Sequence, residues 1–214
     1  MKNITLALFT LGITMGACTL SAQTSDTDQR SEFVFGIKAG ANYSNVWDEK
    51  GQDFNADPRI GFAGGIFIGI PIGTFLGVQP EMLISQKGFQ ATGTLLGQPY
   101  SFSRTTTYLD IPLQLQVKPI EFLTILAGPQ YSYLIHQKDV YTLGSNSVAQ
   151  EQEFNNDNIR KNILGFVAGA DINISHVVIS GRMGWDFQTN NGDGTSSTPR
   201  YKNKWVQLTI GFKI

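Results

Sequence analysis

The chain has 214 residues, a length that suits a single all-β domain of the larger kind. Its formal net charge of −1 excludes the broad positive field by which proteins attract nucleic acid. Only 15% of the residues are charged, against roughly 25% in soluble domains, so the chain lacks the charged outer surface typical of a soluble β-sandwich.

Residues 1–22 have the pattern of a secretory signal peptide: Lys2 supplies a positive charge, residues 4–15 are apolar, and cleavage is predicted after Ala22. The apolar run is too short to span a bilayer as a helix, so we expect export through the inner membrane. The single cysteine, Cys18, ends a segment that loosely resembles a lipoprotein cleavage box, so lipid attachment there is an alternative. Removal of the signal peptide would leave no cysteine and no disulfide.

Residues 23–32 are polar and are predicted to form a flexible lead to the folded domain, which spans residues 33–214. Eight segments of that domain alternate apolar and polar side chains, the period-two pattern of strands with two different faces. Each has about ten to fifteen residues, enough for a tilted strand to cross a bilayer. The segments are Phe33–Tyr43, Arg59–Ile70, Phe75–Lys87, Arg104–Lys118, Phe122–Gln137, Arg160–Ile174, Val177–Gln188 and Lys204–Ile214.

The predicted connections alternate between long and short along the chain. Residues 44–58, 88–103, 138–159 and 189–203 form long polar connections, and residues 71–74, 119–121 and 175–176 form short ones. Up-and-down outer-membrane barrels show this asymmetry, with long loops outside the cell and short turns in the periplasm. A soluble sandwich gives no reason for it.

The fourth segment shows most clearly which side chains share a face. From Leu109 to Val117 the odd-numbered residues are all apolar, and the even-numbered ones include Asp110, Gln114 and Gln116. The export signal, the alternating connections and the scarcity of charge place the apolar face toward lipid. A closed ring is the sheet that satisfies every backbone hydrogen bond in lipid, and an even number of strands permits closure. The sequence therefore predicts an all-β, eight-stranded antiparallel up-and-down transmembrane β-barrel in a Gram-negative outer membrane.

Three prolines, Pro80, Pro112 and Pro129, fall inside predicted strands. Proline has no N–H group to donate to the ladder of a sheet. We therefore expect a bulge or a bend at each of them.

The polar face of the predicted barrel carries charged side chains that would lie in the lumen. An eight-stranded barrel is just wide enough for side chains to fill it, and buried charges cost several kcal/mol each unless they pair. We predict a lumen plugged by ion pairs, with Glu81 in contact with Arg182 or Lys38; a narrow conduit or a ligand site is the alternative. The predicted lumen cluster is Lys38, Glu81, Asp110, Asp171, Arg182 and Asp186.

Aromatic side chains fall near both ends of the predicted strands, as in the interfacial girdles of membrane barrels. The predicted outer girdle is Tyr43, Tyr131, Tyr133, Trp185 and Phe187, and the inner one is Phe33, Phe35, Phe122 and Phe212.

Ser132 and His136 are four residues apart on one strand and are predicted to face the lumen near the outer rim. Some outer-membrane lipid hydrolases place Ser and His near a barrel rim. Strand rise separates this pair by roughly 13 Å, however, and nucleophilic catalysis requires hydrogen-bond contact. The other histidine, His176, lies in a predicted turn, and no further His or Cys supplies zinc ligands. We therefore predict no catalytic residues, no metal site and no cofactor.

Four segments carry a resemblance to a known family: Phe35–Asn42, Tyr108–Leu113, Ala127–Tyr131 and Gly165–Ile174. In their order and spacing they are similar to the PorT-like outer-membrane β-barrel domain family across nearly the whole mature chain. The resemblance implies an eight-stranded barrel that tolerates proline at positions 112 and 129. It implies no shared catalytic residues, and one branch of the family assists protein secretion and gliding machinery.

The expected function is structural or interaction-based: anchoring, surface binding or support of a secretion complex. The expected partners are outer-membrane lipid and proteins that contact the extracellular loops or periplasmic turns, and no nucleic acid. Three alternatives remain: a small porin for ions or small solutes, a lipid-acting enzyme that uses Ser132 or His136, and a soluble lipocalin-like barrel.

Overall fold

The computed structural model describes residues 29–48, 56–95, 98–143, 146–152, 159–190 and 201–214, and these are nearly all β-strand. The predicted signal peptide, with Cys18, lies outside the described residues. After a 3-10 turn at Gln29–Ser31, the strands are β1 (Val34–Asp48), β2 (Asp57–Pro71), β3 (Leu76–Leu95), β4 (Gln98–Ile120), β5 (Leu123–Leu143), β6 (Asn146–Gln152), β7 (Asn162–Ile174), β8 (Val177–Asp186) and β9 (Tyr201–Lys213). Within these ranges the structure contains no helix with the length and apolar character needed to cross a bilayer.

Eight of these strands form a ring in which each is antiparallel to its neighbours. The ring order is β1, β2, β3, β4, β5, β7, β8 and β9, and β9 pairs again with β1. At this seam Gly36 faces Lys213, and the Phe35 and Ile214 amides donate to each other's carbonyls at 3.2 and 2.8 Å. The predicted eight-stranded up-and-down barrel is therefore confirmed. β6 stands outside the ring and pairs with the outer part of β5.

The two faces of the ring strands have the predicted orientation. On β4 the side chains of Leu113 and Leu115 are 55% and 51% exposed on the outside, whereas Gln114 and Gln116 are 1% and 5% exposed in the lumen. Every ring strand adds apolar side chains to this outer belt. A soluble lipocalin-like barrel would have the opposite arrangement, because water favours polar side chains outside. That alternative is wrong.

The predicted connection at residues 88–103 is wrong, because these residues belong mostly to strands. β3 and β4 continue outward in unbroken register to the Leu95–Gln98 pair. β5 follows β4 as far as the Tyr100–Leu143 pair, so the predicted loop at residues 138–159 also begins as strand. With 20, 23 and 21 residues, these three strands far exceed the 9–11 residues that a membrane crossing needs.

The expectation of bulges at the prolines is also wrong. The register stays unshifted across Pro80, Pro112 and Pro129, although the β3–β4 ladder omits the pairs between Pro80–Leu113 and Leu83–Asp110. The missing N–H groups therefore interrupt hydrogen bonds locally without displacing the strands. Register shifts occur elsewhere, one in β2 before Ala63 and two in the β4–β5 pair.

The end of the predicted flexible lead is docked against the inner mouth of the ring, the end that carries the short turns. The Arg30 guanidinium donates to the carbonyls of Lys118 and Pro119 at 3.4 and 3.3 Å, and the Lys118 ammonium donates to the Arg30 carbonyl at 2.8 Å. Arg30 also lies 4.9 Å from the ring centre of Phe75. Gln29–Ser31 thus form an ordered turn rather than a free lead.

Candidate functional site in the lumen

Four of the six predicted lumen charges meet in one network near the inner half of the ring, which we call the lower network. The Glu81 carboxylate lies 2.5 Å from the Lys38 ammonium and 3.7 Å from the Arg182 guanidinium, and Arg182 lies 2.6 Å from Asp171. The expected contact of Glu81 across the lumen is therefore present with both cations. The four side chains are almost wholly buried, and two positive and two negative charges make the network neutral.

Amide side chains extend the lower network around the lumen wall. Gln79 donates to Glu81 at 2.7 Å and accepts from Gln116 at 2.5 Å, while Arg182 donates to the Gln114 carbonyl oxygen at 3.1 Å. The Lys38 ammonium approaches Glu81 outside hydrogen-bond geometry, so this contact is a close ion pair. The network connects five of the ring strands, because its residues come from β1, β3, β4, β7 and β8.

The other two predicted charges lie higher in the lumen. Asp110 forms an ion pair with Lys87 at 3.0 Å, and the Lys87 ammonium lies 3.7 Å from the ring centre of Trp205, a cation–π contact. Asp186 accepts from the Asn203 side chain at 2.6 Å. These residues therefore form a second layer that is separate from the lower network.

An outer cap closes the lumen at the end away from the short turns. Arg104 donates to both carboxylate oxygens of Asp139 at 2.8 and 2.7 Å and to the Tyr201 hydroxyl at 3.2 Å. The Tyr201 ring packs edge-on against Phe89 at 5.2 Å, and Val46 completes the cluster. All five of these side chains are buried.

The lumen is less polar than predicted. Apolar side chains also occupy lumen-facing positions beside the charged ones. The buried apolar side chains on lumen-facing positions include Phe67, Leu83, Leu126, Leu134, Ile163, Val167, Val178 and Trp205. At the inner mouth a cavity of about 40 Å³, with room for only a few water molecules, is lined by Arg30, Lys118 and Gln116, among others.

The predicted girdle residues lie on the outside of the ring, although Trp185 is only half-exposed. The exposed ones are Phe33, Phe35, Tyr43, Phe122, Tyr131, Tyr133, Phe187 and Phe212. Phe212 stacks on His176 at 5.7 Å, and Trp185 lies 5.5 Å from Phe166.

The structure separates Ser132 from His136. Ser132 is buried in the lumen, as predicted, but His136 is exposed on the outside. The cause is the register shift at Thr107–Tyr108: Thr107 faces His136 and Tyr108 faces Leu134, so Ile135 is an extra residue. Beyond the bulge Gln137 and Asp139 point inward, and the expectation of a lumen-facing His136 is wrong. In the part of the chain that the structure describes, no three His, Cys, Asp or Glu side chains are arranged to hold a metal ion.

Sequence reasoning placed Lys87 on the polar face but left it out of the lumen cluster, and it missed Arg104 and Asp139. Arg104 is the first residue of the predicted fourth segment, and Asp139 lies in the predicted connection at residues 138–159. For Lys87 a signal exists in the sequence, because the alternation of β3 continues past it. Lys87, Phe89 and Ala91 occupy successive odd-numbered positions, and all three are buried in the lumen.

Comparison with known proteins agrees with this architecture. A family model described as the outer membrane protein beta-barrel domain matches residues 21–190. No curated protein matches the chain in sequence.

Several solved structures are similar in fold. A major outer membrane protein from Thermus thermophilus has a TM-score of 0.50 and 16% identity, and the match covers 85% of this chain and 99% of that one. Ail, the attachment invasion locus protein of Yersinia pestis, has a TM-score of 0.48 and 14% identity, covering 86% and 99%. Neisserial surface protein A has a TM-score of 0.46 and 11% identity, covering 84% and 97%.

A closed ring of eight strands with an apolar exterior and a filled interior defines an outer-membrane β-barrel. The chain belongs to the outer membrane protein beta-barrel domain family, and its location is the outer membrane.

Proposed function

We propose that this protein is a closed, non-conducting and non-enzymatic barrel whose role is to hold an interaction surface at the cell exterior. The observation that carries the proposal is the lower network, in which Glu81 is in contact with both Lys38 and Arg182 and all of these side chains are buried.

The lower network opposes conduction because its charges are already paired. An ion that crossed the lumen would have to separate Glu81 from Lys38 or Arg182 from Asp171, and an unpaired charge in such an environment costs several kcal/mol. The second layer and the outer cap add two further obstacles along the same axis, Lys87–Asp110 and Arg104–Asp139. In a small porin, the lower network, the second layer and the outer cap would all have to open at the same time.

The outward extensions of β3, β4 and β5 supply the interaction surface. The 23 residues of β4, at a rise of about 3.3 Å and a tilt of about 45°, span roughly 55 Å along the barrel axis, against about 30 Å of hydrocarbon. A sheet of β3, β4 and β5 therefore stands well outside the membrane, and β6 widens it. Such a sheet suits a protein partner at the cell surface, and the PorT-like resemblance favours support of a secretion complex.

The wall of the ring is suited to lipid contact. We take the exposed aromatic residues at its two ends as interfacial girdles, because amphipathic rings favour the boundary between hydrocarbon and water. A catalytic role is disfavoured by the opposite orientations of Ser132 and His136.

Planar-bilayer recording tests the closed lumen. The purified barrel should show no steady open state, whereas a known porin inserted in the same bilayer should conduct. A steady conductance of the folded barrel would overturn the proposal in favour of the porin alternative.

A shortened variant tests the interaction surface. Replacing residues 92–101 with a two-residue turn removes the tip of the β3–β4 hairpin and leaves the ring strands intact. Chemical cross-linking on intact cells should capture a protein partner with the full chain and lose it with the shortened one, while both migrate as heat-modifiable barrels. Equal capture by both variants would place the contact elsewhere and contradict this role of the hairpin.

A further inference from the structure

A groove runs along the outside of the ring where β8, β9 and β1 lie side by side. It has a volume of about 550 Å³, and its lining includes Tyr43, Trp47, Met183, Trp185, Lys204 and Val206. We call it the aromatic groove. Trp47 and Trp185 lie on its outward side, and Trp205, whose ring contacts Lys87 in the lumen, also lines it.

The height of the aromatic groove follows from the strand register. The outward side chains of β9 are apolar from Ile214 up to Val206, and the next one is Lys204. Ten residues of tilted strand between Ile214 and Lys204 span roughly 25 Å, the height of the apolar band of a membrane barrel. Lys204 therefore lies at the outer edge of the hydrocarbon layer, opposite the end that carries the short turns.

The positions of the charged and apolar side chains at the outer edge of the hydrocarbon layer determine which ligand the groove can bind. Lys204 is exposed and pairs with Asn45 on one side and Trp185 on the other. Lys202 is the next outward residue of β9, opposite Trp47, and its ammonium lies 5.9 Å from that ring centre. Just below, Tyr43, Met183 and Val206 are all exposed and apolar or amphipathic. The groove therefore offers positive charge at the water boundary and an apolar trough beneath it.

We propose that the aromatic groove binds an anionic phosphorylated acyl lipid of the outer leaflet. The phosphate lies against Lys204 and Lys202, and an acyl chain lies in the trough formed by Tyr43, Met183 and Val206. A free phosphate would not use the trough, and a neutral lipid would not use the two lysines, so a lipid that combines both parts fits best.

Tryptophan fluorescence in lipid nanodiscs tests this site, because Trp47 and Trp185 report on lipid that enters the groove. The probes are phosphatidylglycerol and phosphatidylcholine, each with brominated acyl chains, which quench tryptophan on contact. Trp205 is only 3% exposed but also lines the groove, so the same titration on Trp205→Phe isolates the signal of Trp47 and Trp185. In the wild-type barrel the anionic lipid should be preferred about thirtyfold, as expected for two lysines near the surface that contribute about 1 kcal/mol each.

Charge variants with a matched control decide the outcome. The double variant Lys202→Gln/Lys204→Gln should lose the preference, while Lys138→Gln/Lys161→Gln, with the same change in net charge away from the groove, should keep it. Heat-modifiable migration verifies that both are folded. No preference in the wild type, a preference that survives in the groove variant, or an equal loss in the control variant would each overturn the proposal.

Discussion

Removing the charge of Glu81 should destabilise the barrel strongly. In Glu81→Gln the side chain keeps its shape, but the Lys38 ammonium at 2.5 Å and the Arg182 guanidinium at 3.7 Å lose their shared carboxylate. The lower network then holds two buried cations against the single carboxylate of Asp171. Loss of one partner from a buried ion pair costs about 3–5 kcal/mol, since the remaining charge has neither water nor a counter-ion.

The assay is urea unfolding of the barrel in lipid vesicles, followed by heat-modifiable migration on a gel. With a slope of about 2 kcal/mol per molar urea, a loss of about 4 kcal/mol lowers the unfolding midpoint by roughly 2 M. The double variant Lys38→Met/Glu81→Gln is the control, because it leaves Arg182 and Asp171 as a neutral pair. It should recover most of the loss, since an apolar replacement of a buried ion pair is often neutral or stabilising.

Two outcomes would refute this reasoning. One is a Glu81→Gln barrel whose free energy of unfolding lies within about 0.5 kcal/mol of the wild type, the range of an ordinary surface substitution. The other is a double variant whose loss of stability equals the sum of the losses in Glu81→Gln and in Lys38→Met alone. Independent sites are additive, whereas coupled charges are not.

Two further predictions concern the strands. Gly169→Ala should lower the free energy of unfolding by about 1–3 kcal/mol, because a Cβ there would overlap the Gly181 carbonyl oxygen and lie 2.9 Å from the Arg182 side chain. Gly181→Ala, where a Cβ meets nothing within 4 Å, is the matched control and should be neutral in the same urea titration. Backbone amides of residues 100–103 and alternate amides of residues 91–95 should exchange slowly with deuterium, because residues 100–103 pair with both β3 and β5 and residues 91–95 pair with β4. Rapid exchange across both ranges, as in a mobile loop, would contradict the extended hairpin.

The sequence predicts which face of each strand is turned outward, because this depends only on the alternation of apolar and polar residues and on whether the surrounding solvent is lipid or water. Leu113 and Gln114 are neighbours with opposite preferences, and the scarcity of charge indicated that the outer solvent is lipid. The contact of Glu81 with Lys38 and Arg182 could be predicted for a related reason. Few charges face the lumen, and each of them needs a counter-ion within a narrow tube.

The ends of the strands could not be predicted in the same way. Residues 88–103 contain glycine and many Ser and Thr residues, which are common in loops and equally acceptable in a strand exposed to water. They form strands because they pair with each other across the β3–β4 hairpin, as Thr92 does with Ser101. The alternation of apolar and polar residues in one strand does not show which residues it pairs with. Asp139 lies in the predicted connection at residues 138–159, which begins as strand in the same way, so its ion pair with Arg104 was missed.

A bulge is a second feature that alternation does not reveal. One extra residue at Ile135 reverses the orientation of every later side chain in β5, so that His136 points outward and Gln137 inward. Nothing in the local residue types marks the insertion, because Leu134 and Ile135 suit either face. The assignment of Ser132 and His136 to one face was correct for an uninterrupted strand and wrong for this one.

The seam between β1 and β9 has a consequence for how the barrel enters a membrane. Thirteen residue pairs, from Gly36–Lys213 to Asp48–Tyr201, join strands from opposite ends of the folded domain. Until they meet, both edges present rows of unsatisfied amides and carbonyls, each costing several kcal/mol in hydrocarbon. A barrel with a partly paired seam is therefore unstable in the hydrocarbon layer. Either the β1–β9 seam closes in a single cooperative step during insertion, or another protein binds both open edges until it closes.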